Sequence, residues 1–274
     1  MCPRPPALSV ASRPPPAPAS AGDAAPGSRP HRLALRPGRR REPAVSIGRV
    51  VSEPAEPGTF LALLSAGDRG ALLAVGGRRR FARGERLMHE GEPGDRVLVL
   101  LAGHVKASNS DSRGREMVLS FRGPGDVLGE LTFMHAEPRS SNVTAIEPVA
   151  AQALAASQFR AFLERNPTAA LTLIDVIGRR FRDANRARLQ FADLDTVGRV
   201  AARLVELCDR YGDSTDAGIE IRLPLTQDDL GSWTASSRAG VANAMRTLRE
   251  LGWIATGRRR ITVLDAGALT QRST

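Results

Sequence analysis

The sequence predicts an α+β protein made of an antiparallel β-roll, one long helix and a winged helix-turn-helix. Residues 80–154 show short alternating apolar runs between glycine turns, a pattern typical of a roll of about eight antiparallel strands. An apolar repeat at helical spacing then runs over 168–193. Over 226–251, two short helical segments are joined by a tight turn, and such a pair makes a helix-turn-helix.

The first 48 residues differ from the rest of the chain in composition. They hold 11 of the 19 prolines. They also contain eight arginines and only two acidic residues, so +6 of the formal net charge of +10 lies there. Such a Pro/Arg-rich segment does not bury enough apolar surface to offset its ordering entropy and is predicted to be disordered. It is either a basic arm that touches DNA or an extension upstream of the true start codon, and we favour the second interpretation.

Charge and cysteine content limit the remaining possibilities. Residues 49–274 carry a net charge of only +4, so net charge by itself is weak evidence for nucleic-acid binding. Cys2 and Cys208 cannot supply a four-thiolate iron–sulfur site or a disulfide framework. The sequence has no run of about 18 apolar residues and its N-terminus lacks the apolar core of a signal peptide. We therefore expect a cytoplasmic protein with no membrane partner.

Residues 49–166 are predicted to form the first folded domain, a sensor of the roll type. The lead-in over 59–75 has leucine and alanine at helical spacing and is broken near Gly67. Strands are expected where apolar residues alternate between glycine-rich turns. A brief helix over 159–164 ends at Asn166-Pro167. The alternating sets are Val97, Val99 and Leu101, then Met117, Leu119 and Phe121, then Val143 and Ala145.

The long helix is predicted to span residues 167–194, with Thr168 as its cap. Along it, apolar or small residues recur every three or four positions and make a seam for a partner helix, where Gly178 permits close approach. We therefore predict a dimerisation helix and a homodimer; the alternative is a helix packed only on its own roll. The seam comprises Leu171, Ile174, Ile177, Gly178, Phe181, Ala184 and Arg188.

Residues 195–274 are predicted to form the winged helix-turn-helix. A helix is expected over 196–208 and a short strand over 219–223. Thr226 and Asp229 make a capping box at the start of the next helix. The turn, the second helix and the hairpin wing are placed at 234–236, 237–251 and 253–264, with Gly257 at the tip of the wing.

One stretch of the predicted roll, G-D-V-L-G-E-L over 125–131 followed by P-R-S-S, has the parts of a site for a small ring-shaped anion. Gly129 lets the backbone approach a ligand because no Cβ intervenes. A helical turn that begins at Glu130 would present free N–H groups to a phosphate. Arg139 can place its planar fork of donors on phosphate oxygens, with Ser140 beside it. Glu130 can accept a hydrogen bond from a ribose hydroxyl.

The spacing G-E-L-(x)7-P-R-S-S, over 129–141, resembles the phosphate-binding cassette of the cyclic-AMP receptor family of bacterial transcription regulators, the Crp/Fnr family. Residues 197–265 resemble the winged helix-turn-helix of the same family in L-T-Q-D-D-L, S-R and L-R-E-L-G-W-I. Together the two resemblances cover 60–265 in the family's order. They imply a jelly-roll sensor of the cyclic-nucleotide-binding type and a homodimer. The implied partners are double-stranded DNA with an inverted repeat and RNA polymerase.

The resemblance implies that the cassette contacts the nucleotide through Gly129, Glu130, Leu131, Arg139 and Ser140. Family members that contact adenine carry a Thr and then a Ser or Asn on the long helix, where this chain has Ala184 and Asn185. Asn185 offers a donor and an acceptor to a purine edge, but Ala184 offers neither. Loss of one such hydrogen bond costs about 0.5–1.5 kcal/mol. We expect the ligand to be cyclic AMP, bound with weakened affinity; another cyclic nucleotide is the open alternative. Arg180, one turn earlier, either adds positive charge near the phosphate or faces solvent.

The resemblance also implies the DNA contacts. Arg238 falls where the family presents an arginine to guanine. The next position, usually glutamate, is Ala239, and the position five after Arg238, usually basic, is Asn243, so we expect an altered DNA code. Ala235 replaces a usual glycine and costs about 1 kcal/mol if the turn needs a positive φ. The arginines of the wing suit phosphate or minor-groove contact, unless the wing is only a solvated turn. The expected contacts are Thr226, Ser237, Arg238, Ala239, Asn243, Arg258, Arg259 and Arg260.

No catalytic or metal site is expected. The four histidines form no H-x-H or H-E-x-x-H, which a roll-fold metalloenzyme would need, and no Ser-His-Asp spacing is present. The predicted function is a dimeric DNA-binding transcription regulator without a cofactor, in which a cyclic nucleotide acts as allosteric ligand and biases a hinge at 191–196. Two alternatives stay open: a ligand-independent regulator whose roll is purely structural, and a roll-fold metalloenzyme.

Overall fold

The computed structural model describes residues 52–112, 114–132, 137–257 and 260–273, so the predicted disorder of 1–48 lies outside the described residues. Within these ranges, the helices are α1 (Phe60–Leu63), α2 (Ala66–Leu73), α3 (Ala156–Arg165), α4 (Pro167–Asp193), α5 (Thr196–Tyr211), α6 (Gln227–Trp233), α7 (Arg238–Glu250) and α8 (Ala266–Arg272). The strands are β1 (Gly77–Phe81), β2 (Arg86–Met88), β3 (Arg96–Ala102), β4 (Val105–Ser110), β5 (Glu116–Arg122), β6 (Val127–Leu128), β7 (Asn142–Ala145), β8 (Val149–Ala155), β9 (Gly212–Thr215), β10 (Gly218–Ile221), β11 (Ile254–Gly257) and β12 (Arg260–Val263).

Two four-stranded antiparallel sheets make the roll. One has the strand order β1-β8-β3-β6 and the other has the order β2-β7-β4-β5. Apolar residues from both sheets share one buried cluster, in which Leu98 and Leu100 of the first sheet meet Val105 and Val143 of the second. This arrangement confirms the predicted antiparallel roll.

Strand β3 is buried on both of its faces, whereas an alternation of Val97, Val99 and Leu101 was predicted. These three side chains pack against the helices that cover the roll, while Leu98 and Leu100 fill the space between the two sheets. A strand covered on both faces carries a continuous apolar run instead of an alternating one. Strand β3 therefore serves both layers of the sensor core.

Strand β5 presents a different face from the one predicted. Met117 and Leu119 are 49% and 47% exposed, whereas Val118 and Phe121 are buried. The register with β4 shifts within the strand pair, so the apolar set does not keep a strict period of two. Phe121 instead packs edge-on against Trp233 of α6, with ring centroids 4.8 Å apart and an interplanar angle of 79°. The buried face of β5 is thus a contact surface for the C-terminal domain.

Two helix starts differ from their predictions. Helix α4 begins at Pro167 and has Asn166 as its N-cap residue, so Thr168 is not the cap. Proline is suited to the first helical position because its missing N–H is not needed there. In the lead-in, the break falls at Ser65, which accepts a hydrogen bond from the amide of Asp68 and caps α2, and not near Gly67.

The C-terminal domain packs its helices and a sheet of order β11-β12-β10-β9 around α5. Val200, Leu204 and Leu207 of α5 are buried together with Val241 and Leu248 of α7. Helices α5 and α7 therefore share one core.

The predicted wing is present, with Gly257 paired to Arg260 at the end of β11, and its tip at 258–259 lies outside the described residues. Helix α5 extends to Tyr211, three residues beyond its predicted end, and the strand predicted at 219–223 is β10. Strand β9 and helix α8 were not predicted, because their short segments carry no clear apolar period.

Candidate ligand-binding and nucleic-acid-binding sites

The stretch predicted to bind an anion turns at Gly129, directly after β6. Gly129 has a φ of +77°, which side-chain-bearing residues adopt only with strain. A Cβ at this position would lie 2.1 Å from Nη1 of Arg139. The group that comes close to Gly129 is the protein's own guanidinium, and the predicted approach of a ligand stays a prediction.

Arg139 is held inside the roll and is only 6% exposed. Its Nη1 donates to the carbonyl of Gly129 at 3.2 Å and to Oγ1 of Thr132 at 2.9 Å, and its Nη2 donates to the carbonyl of Arg96 at 2.6 Å. The carboxylate of Asp95 lies farther away, at 3.9 Å. Since the close partners are uncharged oxygens, most of the positive charge stays available to an anion.

Glu130 is buried and pairs with Arg180 of α4. Nη1 of Arg180 donates to Oε1 of Glu130 at 2.8 Å and to the carbonyl of Val127 at 3.1 Å, and Nη2 donates to Oδ1 of Asp126 at 2.7 Å. Of the two positions considered for Arg180, the one beside the cassette is therefore found and the solvent-facing one is wrong. Arg180 therefore ties the long helix to the candidate ligand site.

The other predicted ligand residues are less enclosed. Leu131 is half exposed and Ser140 is exposed next to Arg139. The helical turn expected after Glu130 extends into residues 133–136, which lie outside the described residues. Asn185 is exposed on α4, one turn beyond Arg180, and is open to a ligand or to a second chain.

The first helix of the helix-turn-helix has the predicted capping box. Oγ1 of Thr226 accepts from the amide of Asp229 at 3.0 Å, and Oδ2 of Asp229 accepts from the amide of Thr226 at 3.0 Å. In the following turn, Ala235 has a φ of +50°. This residue therefore adopts the left-handed conformation for which the family uses glycine, at a cost of about 1 kcal/mol.

Helix α7 presents one polar face to solvent. Ser237 accepts from the amide of Gly240 at 3.1 Å and caps the helix, which places Arg238 at its first position with its side chain exposed. Arg246 was not predicted as a contact, although it lies eight residues after Arg238 and so on the same face. The exposed residues of this helix are Arg238, Ala239, Asn243, Arg246, Thr247, Arg249 and Glu250.

Only part of the wing can be placed. Nη1 of Arg260 lies 3.8 Å from Oε2 of Glu220, and its side chain is mostly exposed. Arg258 and Arg259 lie outside the described residues. Among the three predicted wing contacts, Arg260 is thus the one whose position the structure gives.

Comparison with known proteins assigns the two domains. The family model of the cyclic nucleotide-binding domain matches residues 78–166, and that of the Crp-like helix-turn-helix domain matches residues 198–272. The CRP-like cAMP-activated global transcriptional regulator of Mycobacterium tuberculosis is 31% identical over 193 residues, which cover 70% of this chain and 86% of that protein. This chain belongs to the Crp/Fnr family. It is a DNA-binding transcription regulator with a cyclic nucleotide-binding domain.

Two further proteins are similar to this chain at lower identity. The cyclic AMP receptor protein of Thermus thermophilus is 24% identical over 194 residues, covering 71% of this chain and 87% of that protein. The structure of FixK2 from Bradyrhizobium japonicum aligns with a TM-score of 0.65 at 21% identity, covering 73% of this chain and 98% of that one. The latter likeness supports the fold alone.

Membership in this family of regulators means that the chain is not an enzyme, so the metalloenzyme alternative is set aside. Within the described ranges, no group of three or more His, Cys, Asp or Glu residues could hold a metal ion. None of the helices there is long and apolar enough to cross a membrane.

His104 forms a partly buried charge cluster that was not predicted. Its Nε2 lies 2.9 Å from Oε1 of Glu56, its Nδ1 lies 2.5 Å from Oε1 of Glu147, and its ring meets that of Tyr211 edge-on at 5.4 Å. Burial alone would lower the pKa of His104, but the two carboxylates outweigh it and raise the pKa to about 9. The partners lie more than 40 residues away in sequence, so only the fold reveals this cluster.

Lys106 joins the roll to the helix-turn-helix and is the only lysine of the chain. Its Nζ donates to Oε2 of Glu116 at 2.7 Å and to Oδ1 of Asp229 at 2.9 Å. Asp229 therefore serves both the capping box of α6 and the contact between the domains.

Proposed function

We propose that this regulator is a homodimer, that its roll binds a cyclic nucleotide, most simply cyclic AMP, and that the nucleotide sets the affinity for an inverted-repeat DNA site. The observation that carries the proposal is the pairing of Gly129 with Arg139. A buried guanidinium with uncharged close partners lies against the turn at Gly129, where no Cβ stands between it and the backbone. That combination suits a phosphate.

Glu130 and Arg180 supply the second half of the proposed pocket. Glu130 offers a buried carboxylate to a ribose hydroxyl, and Arg180 brings a further positive charge from α4. A cyclic nucleotide has an anionic phosphate and a free 2′-hydroxyl on one ring, so it can engage Arg139 and Glu130 together. The Mycobacterium tuberculosis relative is named a cAMP-activated regulator, which supports cyclic AMP as the nucleotide.

The outer face of α4 supports the homodimer. Leu171, Ile174 and Phe181 are 67%, 64% and 66% exposed, while Leu173 and Val176 of the same helix are buried on the roll. Three large apolar side chains on one helical stripe favour burial against a second copy. The twofold symmetry of such a dimer would present two α7 helices to two half-sites, which accounts for an inverted repeat.

Arg238 is the residue proposed to read a base. It lies at the first position of α7, the end that enters the major groove first, and its guanidinium can meet O6 and N7 of guanine. Asn243 and Arg246 on the same exposed face would contact neighbouring bases or phosphates, and Arg260 of the wing would contact phosphate. With this DNA contact we propose a cytoplasmic protein that has RNA polymerase as a further partner.

Calorimetric titration with cyclic AMP, cyclic GMP and cyclic di-GMP tests the ligand. We expect wild type to bind cyclic AMP and Arg139→Ala to bind it at least tenfold more weakly, because a charge-assisted hydrogen bond contributes about 1.5–3 kcal/mol. Arg86→Ala, which removes an exposed arginine of β2 on the same roll, is the matched control and should bind as wild type does. Equal binding by wild type and Arg139→Ala would refute the assignment.

A ligand-independent regulator is the second candidate, and one observation favours it. Three of the five N–H groups of Arg139 already donate to protein oxygens, so only part of its donor fork is left for a phosphate. Tight binding to an inverted repeat, with no calorimetric signal from any of the three nucleotides, would establish this candidate and exclude cyclic-nucleotide control.

A further inference from the structure

One buried carboxylate, that of Asp126, meets arginines from two different parts of the chain. Asp126 lies in the turn before β6 and accepts a hydrogen bond from the amide of Gly123 at 3.1 Å. Its Oδ1 accepts from Nη2 of Arg180 on α4 at 2.7 Å. Its Oδ2 lies 3.6 Å from Nη2 of Arg210 on α5. Each oxygen of the carboxylate thus faces a guanidinium of a different helix.

The charges in this region depend on one another. Burial alone would raise the pKa of Asp126, but Arg180, Arg122 and Arg210 outweigh it and lower the pKa, so the carboxylate stays ionised. Arg180 divides its donors between Asp126 and Glu130 of the candidate ligand site. A change in the position of Arg180 therefore alters the negative charge left for Arg210, because interactions between buried charges are poorly screened.

Arg210 lies near the C-terminal end of α5, the central helix of the DNA-binding domain. Tyr211, the next residue, packs its ring on His104 of the roll at 5.4 Å, so this end of α5 touches the sensor at two points. Leu204 and Leu207 of the same helix share their core with α7, the proposed reading helix. A shift of this end of α5 relative to the roll therefore reorients α7.

We infer that Asp126 is a positioning residue that links the two sites: it holds Arg180 against Glu130 and, through Arg210, holds the DNA-binding domain on the roll. This inference rests on the proposed function. A cyclic nucleotide that engages Glu130 or Arg180 redistributes the hydrogen bonds to Asp126, and the contact with Arg210 changes with them. The link predicts that the affinity for DNA and the affinity for nucleotide are coupled through Arg210, which itself touches neither ligand.

The test compares wild type, Arg210→Gln and a control with the same change of charge. Arg222→Gln removes an exposed arginine of the DNA-binding domain that pairs with Glu220 and lies away from Asp126. Affinity for an inverted-repeat duplex is measured by fluorescence anisotropy with and without saturating cyclic AMP, and affinity for cyclic AMP by calorimetry. We expect Arg210→Gln to bind cyclic AMP within about threefold of wild type, since its side chain does not contact the ligand site.

The decisive quantity is the ratio of the DNA affinities with and without cyclic AMP. We expect this ratio to be at least fivefold smaller, and so closer to one, in Arg210→Gln than in wild type. In Arg222→Gln the ratio should stay at the wild-type value. A fivefold change lies within the usual range of allosteric coupling. A purely structural role for Arg210 would lower both DNA affinities together and leave the ratio unchanged. If Arg210→Gln does not fold, Arg210→Met keeps the aliphatic part of the side chain, and the same fall in the ratio is expected.

The outcomes separate the inference from the proposed function. If wild type binds cyclic AMP and its affinity for DNA responds, but Arg210→Gln responds equally, the link through Asp126 is wrong while the proposed function stands. If wild type binds none of the cyclic nucleotides, the proposed function fails and the link fails with it.

Discussion

The pH dependence of stability provides a direct test of the His104 cluster. His104 is enclosed by Glu56 and Glu147, which raise its pKa from 6.5 to about 9. Each tenfold change in proton affinity corresponds to about 1.4 kcal/mol, so the protonated histidine contributes about 3 kcal/mol to the free energy of unfolding. Because the pKa is raised in the folded state, this contribution is fully present below pH 6.5 and is lost as the pH rises through about 9.

Urea unfolding of wild type and His104→Gln between pH 6 and pH 10 measures the effect. The difference in the free energy of unfolding between the two proteins should shrink as the pH rises through this window, by about 1.4 kcal/mol per pH unit at most. Other groups titrate equally in both proteins and cancel in the difference. His89→Gln, which replaces an exposed histidine of the same roll, should run parallel to wild type. If the His104→Gln curve also runs parallel to wild type, His104 is not protonated between the two carboxylates and the reasoning is refuted.

Four further predictions concern the turn, the interface and the reading helix. Gly129→Ala should destabilise the roll by about 1–2 kcal/mol and weaken cyclic AMP binding at least tenfold, because the new Cβ displaces Arg139; urea unfolding and calorimetry check this. Ala235→Gly should stabilise the DNA-binding domain by about 0.5–1 kcal/mol, since it removes the strain of a positive φ; a lower unfolding midpoint would contradict this. Phe181→Glu should convert the dimer to a monomer, as measured by sedimentation velocity, because two carboxylates would meet in an apolar interface. A monomeric wild type would contradict the proposed dimer interface on α4. Arg238→Ala should lose the preference for one guanine per half-site, at a cost of about 1–3 kcal/mol in binding free energy, when binding sites are selected from random DNA. Arg260→Ala should weaken binding to all sequences alike and lower the salt dependence of DNA binding by about one unit of slope.

Some local features could be predicted from the sequence because they depend only on residues close together in the chain. The capping box of Thr226 and Asp229 is a contact between residues three apart, so it could be predicted without knowledge of the fold. The family resemblance raised a positive φ at Ala235 as a condition, and the structure shows it, whereas Ser237, predicted as the first residue of the second helix, is its cap. These features placed the helix-turn-helix, and the spacing of Gly129 and Arg139 placed the cassette.

Tertiary structure decided which strand faces are buried. The apolar residues of β5 suggest one face, but Met117 and Leu119 are exposed while Val118 and Phe121 are covered. Burial of Phe121 depends on Trp233, which lies more than 100 residues later in the chain. A strand pattern records how apolar each residue is, whereas the second domain determines which side of the sheet is kept from water.

By itself, the sequence determined the order of the domains, the capping box of Thr226 and Asp229, and the residue types of the cassette and of the proposed reading helix, because these depend on neighbours along the chain. Only the tertiary structure decided that Arg139 is held by backbone carbonyls, that Arg180 lies on Glu130, and that Asp126 and Arg210 meet across the two domains. The strength of a charge pair depends on its distance and on its burial, and neither quantity is encoded at any single position.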